Sequence, residues 1–411
     1  MGLMEHRMKS AESIFESWKP TKVHFGEGNI KVLGKVIKRY SNRVLVIIGE
    51  SSIKESGYLD KIKAILDEGR IQYKICHGVE PNPTEETIYR ITYHLLAGDF
   101  NCLLAIGGGS VMDAAKAAGI LGTIKEGELE DYFGVGMVTK RVSKIMPLIV
   151  VPSTSGSGSE VTRFSVITNT KLNVKKMIID PAIIPTEAIV DPELTYTCER
   201  HVTLVSGLDT MTHLIEGYLN TVDDGVDRDA NDRALIGLDL LFEALPKVLQ
   251  NPIDSEGRKK MSMASLLGGT VLFYKQAGGP HLNSFSWCDV MDHGEACAVM
   301  LPYYTAFYAP AVVDKIKTLS EILKISDSGN IAKDFAEGLQ NFYKKLNFPV
   351  TLKEFKNFSK ELIEKAVADA SQNKMKLEAM PRPIPLQKCD ETLRTIITGA
   401  YNGTIEEILK L

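Results

Sequence analysis

Apolar positions in the first half of the chain fall in short, almost unbroken runs. Residues 43–49 (RVLVIIG), 73–78 and 102–106 (CLLAI) each lead into a turn and an amphipathic stretch. Residues 146–151 and 188–191 continue the series. Runs of this kind, alternating with helical segments, predict strands of a parallel sheet covered on both faces. Residues 20–30 (PTKVHFGEGNI) alternate apolar and polar before turning at Gly26 and Gly28, which predicts a short leading strand. EPNPT, residues 80–84, predicts a turn into a helix near 85–96.

Beyond about residue 195 the period changes to that of helices, at 229–249, 258–276, 316–323, 331–346 and 359–369. The reading is therefore two domains with a seam near 191–194: an α/β domain, 1–195, and an all-helical domain, 196–411. Residues 204–220 (LVSGLDTMTHLIEGYLN) predict a helix with Ser206 as its N-cap. Asp209 and His213 then stand four apart on one face.

Composition narrows the class without naming it. Of 411 residues, 44% are hydrophobic and 24% charged, with a net charge of −4, an ordinary globular balance. The chain has no basic block to suggest a nucleic-acid or membrane surface. Six scattered cysteines without a CxxC pair read as reduced, mostly buried thiols. The polar N-terminus and the lack of long apolar runs lead to the expectation of a soluble, cytoplasmic chain. The proline-rich stretch 381–385 carries no assigned function.

Three stretches carry candidate chemistry. Gly107, Gly108, Gly109 and Ser110 follow the CLLAI strand and open an Ala-rich helix. A strand, a glycine turn and a helix N-terminus suit the pyrophosphate of a dinucleotide, although a tight connection has the same look. Asp113 lies on the first helical turn, where it also complements the helix dipole. A second small-residue turn, 152–160 (PSTSGSGSE), brings Ser153, Thr154 and Ser157 to the same carboxyl edge of the sheet. His281 and His293 would join Asp209 and His213 as one carboxylate and three imidazoles, suited to Fe²⁺ or Zn²⁺. A single helix would hold the last two histidines about 18 Å apart. The segment between them must therefore bend or straddle two elements.

Taken in order, PTKVHFGEGNI, EPNPT, GGGSVMDAAK, PSTSGSGSEVT, DPELT, GLDTMTHLIEGY and HGEACAVMLPYY resemble the iron-containing (group III) alcohol dehydrogenases of the dehydroquinate-synthase-like superfamily. The resemblance runs essentially end to end. It implies a Rossmann-like parallel-sheet N-terminal domain and an all-α C-terminal domain. Asp209, His213 and His293 fall on its ligand positions, and His281 is the candidate for the fourth. Cofactor contacts are expected from Gly49, Glu50, Ser51 and Ser52 at the end of the second strand, from both small-residue turns, and from Leu194 of DPELT. Lys176 is read equally as a ribose contact and as a solvated lysine.

The pattern departs from the family at Phe285, where members commonly carry a further histidine, and the spacing from His281 to His293 is slightly short. The proton is then expected to leave through water or a ribose hydroxyl. Phe285 and Trp287 are read either as an apolar substrate wall or as core. Gly49 and the serines would accept a 2′-phosphate and Glu50 would repel one, so NAD and NADP both stay open. The implied activity is reversible hydride transfer between a nicotinamide and a small primary alcohol or aldehyde, with Lewis-acid help from the metal. At least a homodimer is implied. Two rivals remain: a non-redox lyase of the same superfamily, and a catalytically silent nucleotide-binding protein.

Overall fold

The apolar runs of the first half become strands buried on both faces. The structure, a computed structural model, describes residues 3–171, 174–221 and 228–411. Its strands are β1 (Lys22–Phe25), β2 (Arg43–Gly49), β3 (Gln72–Val79), β4 (Leu103–Gly107), β5 (Gly134–Val135), β6 (Leu148–Pro152), β7 (Phe164–Asn169), β8 (Val174–Ile179) and β9 (Glu187–Val190). Among the described residues, six of them form one parallel sheet in the order β1-β9-β6-β4-β2-β3. The central strands β4 and β6 are buried throughout, while the edge strands β1 and β3 are partly exposed. Helices Tyr58–Glu68, Glu85–Ala97 and Gly109–Ile124 pack on this sheet. Val46, Ile48, Leu104, Ile106, Ile149 and Val151 of the strands share a core with Leu33, Ile37, Ile62 and Leu66. Full burial of each such side chain contributes about 1.5–3 kcal/mol.

The strand order sets where a ligand can enter. From β2 the chain moves outward to β3, then returns to the opposite flank of β2 as β4. Such a reversal opens a crevice at the carboxyl ends of the strands beside it. Those ends carry residues 49–52 after β2, the glycine turn after β4 and, next along, the second small-residue turn after β6.

The chain forms two compact units, Met1–Glu199 with Asn251–Gly269, and Arg200–Gln250 with Thr270–Leu411. The second unit is helical among its described residues. The helices expected beyond residue 195 appear within a few residues of their predicted bounds, as Arg228–Gln250, Ser255–Tyr274 (most of it in the first unit), Val313–Leu323, Ile331–Lys345 and Glu361–Ser371. No helix among the described residues is long and apolar enough to cross a membrane.

Ser206 is not an N-cap. The helix runs Arg200–Leu219 and contains it, because Leu204 continues the buried stripe of Leu208, Met211 and Ile215 one turn further back. Two elements carried too weak a pattern to be predicted. Helix Leu3–Ser17 buries Met8, Ala11 and Phe15 from a mostly polar sequence. A small sheet, β5-β8-β7, rests on a hairpin whose second strand is half lysine at its start.

A buried polar cluster ties the Gly109–Ile124 helix to the segment after β6. Lys116 is fully buried, and its ammonium donates to the Ser159 carbonyl (2.8 Å), Ser159 Oγ (2.7 Å), Thr162 Oγ1 (3.2 Å) and the Phe164 carbonyl (2.8 Å). Asp113 accepts from Ser159 Oγ at 2.7 Å and from the Val166 amide at 2.9 Å. Burial pulls Lys116 down to about 8, against the pull of Asp113 and Glu160. Burial likewise pushes Glu160 up to about 7, against its backbone hydrogen bond and Lys116.

The Glu160 shift fixes a pH dependence. Between its ordinary value of 4.5 and about 7 the folded chain holds more protons than the unfolded one, so stability from this group falls as pH rises through that window. Glu160→Gln abolishes the titration. Its unfolding free energy relative to wild type should increase by up to about 3 kcal/mol between pH 4.5 and 7.5. Urea titrations across that range measure it, and a flat difference would contradict the burial penalty.

Candidate functional site

The Arg200–Leu219 helix is buried nearly all round, yet it carries Asp209, His213 and Glu216 at i, i+4 and i+7. Those three share a face. His281 comes from the short helix Gly279–Ser284, and a 3₁₀ turn, Phe285–Trp287, then redirects the chain. His293 is the first residue of the next helix, His293–Tyr308, whose N-cap Asp292 forms a capping box with Glu295. The two later histidines thus straddle separate helices, as their spacing required.

These elements bring four side chains to one point. Asp209 Oδ1 lies 3.7 Å from Nε2 of His213, 3.7 Å from Nε2 of His281 and 3.7 Å from Nε2 of His293. The His213 and His281 rings stack at 4.6 Å, and His293 meets His281 edge-on at 5.3 Å. One donor atom from each residue lies within 4.8 Å of all the others. Donors held about 2.1 Å from a tetrahedral ion stand roughly 3.4 Å from one another, close to this spacing. Asp209 Oδ1 and His281 Nε2 are buried, and among the described residues neither has a hydrogen-bond partner. Each such orphan costs about 1–3 kcal/mol, which a shared cation would offset. One carboxylate and three imidazoles suit Fe²⁺ or Zn²⁺, so the donor set fits the implied metal.

The electrostatics agree with that geometry. Burial alone would raise the Asp209 carboxyl, but His213, His281 and His293 outweigh it and hold the group below the usual carboxylate range. At His281 burial acts downward and is overcome by Cys297, Glu216 and Asp209, which raise it. Asp209 is 6% exposed, whereas the His293 side chain is 35% exposed. The cluster is therefore open on the His293 side. Gly294 permits the close approach: a Cβ there would lie 2.3 Å from the Val205 carbonyl oxygen and 3.3 Å from Asp209 Cβ.

Two residues near this cluster escaped the sequence reading. Glu216 contacts His281 Nδ1, and its signal was the i+3 spacing from His213. Cys297 stands one turn beyond His293, its sulfur 3.8 Å from His293 Nε2. A lone buried cysteine has no sequence signature that separates it from ordinary core. Trp287 resolves to core: it is buried, donates Nε1–H to the Leu362 carbonyl at 3.2 Å and meets Phe358 edge-on. Phe285 is partly buried, with the Lys376 ammonium 5.8 Å from its ring centre.

In the first unit the two small-residue turns press against each other. A Cβ on Gly108 would come within 3.2 Å of Thr154 Oγ1, and one on Gly109 within 2.7 Å of Ser157 Oγ. Gly107 is equally confined, since its Cβ would meet Val111 at 2.6 Å. The Ser153 amide donates to the Gly107 carbonyl at 3.0 Å, extending the β4–β6 ladder into the turns. Ser110 Oγ accepts from the Asn82 amide at 3.3 Å. Gly158 adopts φ +61° and packs on Gly269, where a Cβ would come within 2.6 Å of its Cα.

The remaining predicted cofactor residues are more dispersed. Gly49 ends β2, and Glu50, Ser51 and Ser52 after it are exposed. Both carboxylate oxygens of Asp113 accept bonds from within the protein. Leu194 is buried in the apolar core. Lys176 sits on β8, 3.9 Å from Glu130 and 5.0 Å from the Phe133 ring centre.

Comparison with known proteins places this geometry in a family. The model for iron-containing alcohol dehydrogenase matches residues 20–192, and that for the Fe-containing alcohol dehydrogenase family, C-terminal, matches residues 203–397. The NADPH-dependent butanol dehydrogenase of Clostridium saccharobutylicum is 31% identical, over 94% of this chain and 97% of its own. NADH-dependent butanol dehydrogenase A of Clostridium acetobutylicum is 28% identical, over 89% of this chain and 95% of its own. A crystal structure of an iron-containing alcohol dehydrogenase from Thermotoga maritima superposes with a TM-score of 0.79 at 29% identity, covering 93% of this chain and 99% of that one. With both halves matched and a relative of this similarity spanning nearly the whole length, the chain belongs to the iron-containing alcohol dehydrogenases.

Proposed function

We propose that this chain interconverts small primary alcohols and their aldehydes with NAD or NADP, using a divalent metal held by Asp209, His213, His281 and His293. Iron(II) is the first choice of metal and zinc the alternative. The observation that carries the reading is the convergence of four donor atoms, two of them buried and without hydrogen-bond partners among the described residues. Relatives named as alcohol and butanol dehydrogenases support the reaction class, and neither the lyase nor the silent binding protein is favoured by them. A metal held there supplies Lewis acidity toward the oxygen of the alcohol or aldehyde, and the nicotinamide carries the hydride.

The protein's part is positioning and charge. Asp209 offsets one of the two positive charges, while three neutral imidazoles leave the remainder available for polarisation. The open side at His293 gives a small oxygen substrate its approach. At the glycine turn the N-terminus of the Gly109–Ile124 helix suits a pyrophosphate, and Ser153, Thr154 and Ser157 add hydroxyl donors. Glu50 is exposed where the ribose would lie and disfavours a 2′-phosphate, while Ser51 and Ser52 accept one. One named butanol relative uses NADPH and another NADH, so both belong in the assay. The proton leaves through water or a ribose hydroxyl, since Phe285 has no group to carry it. At least a homodimer in the cytoplasm completes the proposal.

The direct test is absorbance of NADH and NADPH with butanal, using protein stripped by chelation and then restored with Fe²⁺ or Zn²⁺. Restored protein should turn over and stripped protein should not; equal rates in the two would refute a metal-dependent reaction. Asp209→Asn or His213→Ala should lose stoichiometric metal and lower kcat/KM by about 10³-fold, the scale of several kcal/mol of charge stabilisation.

Gly109→Ala probes the other half of the proposal. The added Cβ intrudes on Ser157, so KM for the dinucleotide should rise about tenfold while metal content stays at wild-type level. An unchanged KM would argue against dinucleotide binding at this turn.

A further inference from the structure

Glu216 shares a face with Asp209 and His213 but stands outside the four-donor cluster. It is 2% exposed, and both of its carboxylate oxygens are engaged. Oε1 accepts the Gly278 amide at 2.8 Å, and Oε2 makes a very short contact with Nδ1 of His281. An ionised carboxylate has no proton to donate, so the proton of that contact belongs to Nδ1. In the neutral ring, the form able to bind a metal, the lone pair is then on Nε2. That nitrogen lies 3.7 Å from Asp209 Oδ1 and, among the described residues, has no hydrogen-bond partner.

The surroundings are shaped to permit this contact. A Cβ on Gly278 would lie 3.1 Å from Glu216 Oε1 and 2.9 Å from Tyr308 Oη, and one on Gly279 would overlap the Tyr304 ring at 2.1 Å. Two glycines therefore let the turn before His281 press its amides against Glu216 and Tyr308. The Gly279 amide donates to Tyr308 Oη at 2.9 Å, and the Lys376 ammonium donates to the Ala277 carbonyl at 3.4 Å. These bonds fix the backbone that carries His281 on both sides of Gly278. Packing alone would not call for a carboxylate here, since burying one costs several kcal/mol unless it serves a charged or hydrogen-bonded partner.

We propose that Glu216 is a positioning residue of the metal centre. It holds His281 as the Nδ1–H tautomer, aims Nε2 at the other donors, and makes that nitrogen a stronger ligand by drawing on the Nδ1 proton. The inference rests on the reading of Asp209, His213, His281 and His293 as the ligands. Outer carboxylates of this kind typically change metal affinity 10–100-fold. Glutamine at this position keeps the shape and an acceptor oxygen but removes the charge, so it separates ligand tuning from packing.

The test uses the full chain, stripped of metal and titrated with Zn²⁺ against a competing chelator. Glu216→Gln should weaken Zn²⁺ binding about 10–100-fold while the thermal midpoint of the metal-free protein moves by no more than a few degrees. Equal affinity in the variant and wild type would overturn the inference, as would a loss matched by a collapse of the metal-free midpoint. A second readout needs no variant. In the zinc-loaded wild type with ¹⁵N-labelled histidine, one ring should show a protonated Nδ1 in a strong hydrogen bond and a metal-bound Nε2. Resonances showing His281 bound through Nδ1, or with Nδ1 bare, would overturn it even if the variant failed to fold. Wild-type protein that binds no Zn²⁺ would sink the ligand reading and this inference together; tight wild-type binding beside an unaffected variant would sink this inference alone.

Discussion

The burial of Asp209 is the constraint around which the helical unit is arranged. A carboxylate taken out of water costs several kcal/mol unless positive charge or hydrogen bonds replace the solvent. Its own helix supplies one imidazole, from His213, at the spacing a helix allows. The other two must come from elsewhere, and they arrive on separate helices that meet this one at close range. Gly294 and Gly279 follow from that requirement, because any side chain at either would push a histidine-bearing helix away from its neighbour. The three imidazoles surround Asp209 Oδ1 at 3.7 Å each, and their positive charge is what holds that carboxyl below its usual range.

The sheet-bearing unit meets a related demand differently. Its two turns at the carboxyl edge of the sheet are built from small residues, which contribute little packing of their own. Rigidity is supplied from behind. Lys116 and Asp113 bind the end of the second turn, at Ser159, and the strand after it to the helix after the first turn. This cluster also explains why a lysine and an aspartate follow the glycines. In the fold both serve as internal struts.

The sheet was legible in the sequence because strands buried on both faces leave continuous apolar runs that few other elements imitate. The Asp209–His213 pair was legible because helix geometry guarantees that residues four apart project together. His281 and His293 were legible through residue chemistry and resemblance, not through local pattern; their convergence depends on a bend at Phe285–Trp287 that no periodicity announces. Glu216 was hidden for a related reason. A glutamate on a helix is ordinarily a solvated residue, and its burial becomes visible once the Gly278 turn packs over it. Ser206 misled because a hydroxyl residue ahead of an apolar stripe looks like a start signal, whereas tertiary burial of Leu204 carries the helix six residues further back.

Shared motifs in such a chain report folding as much as chemistry. The DPELT segment looks like part of the cofactor site, yet its Asp191 accepts the Gly28 amide at 3.1 Å and the Ile30 amide at 3.0 Å. Those two residues belong to PTKVHFGEGNI, at the far end of the same domain in sequence. Adjacent pairing of β1 with β9 brings the two motifs together, and the aspartate then satisfies amides that the turn after β1 would otherwise leave bare. Leu194 of the same segment fills the core. Two of the seven motifs are thus halves of one structural device that anchors an edge strand. GLDTMTHLIEGY differs from these two, since Asp209 Oδ1 is buried there with no hydrogen-bond partner among the described residues.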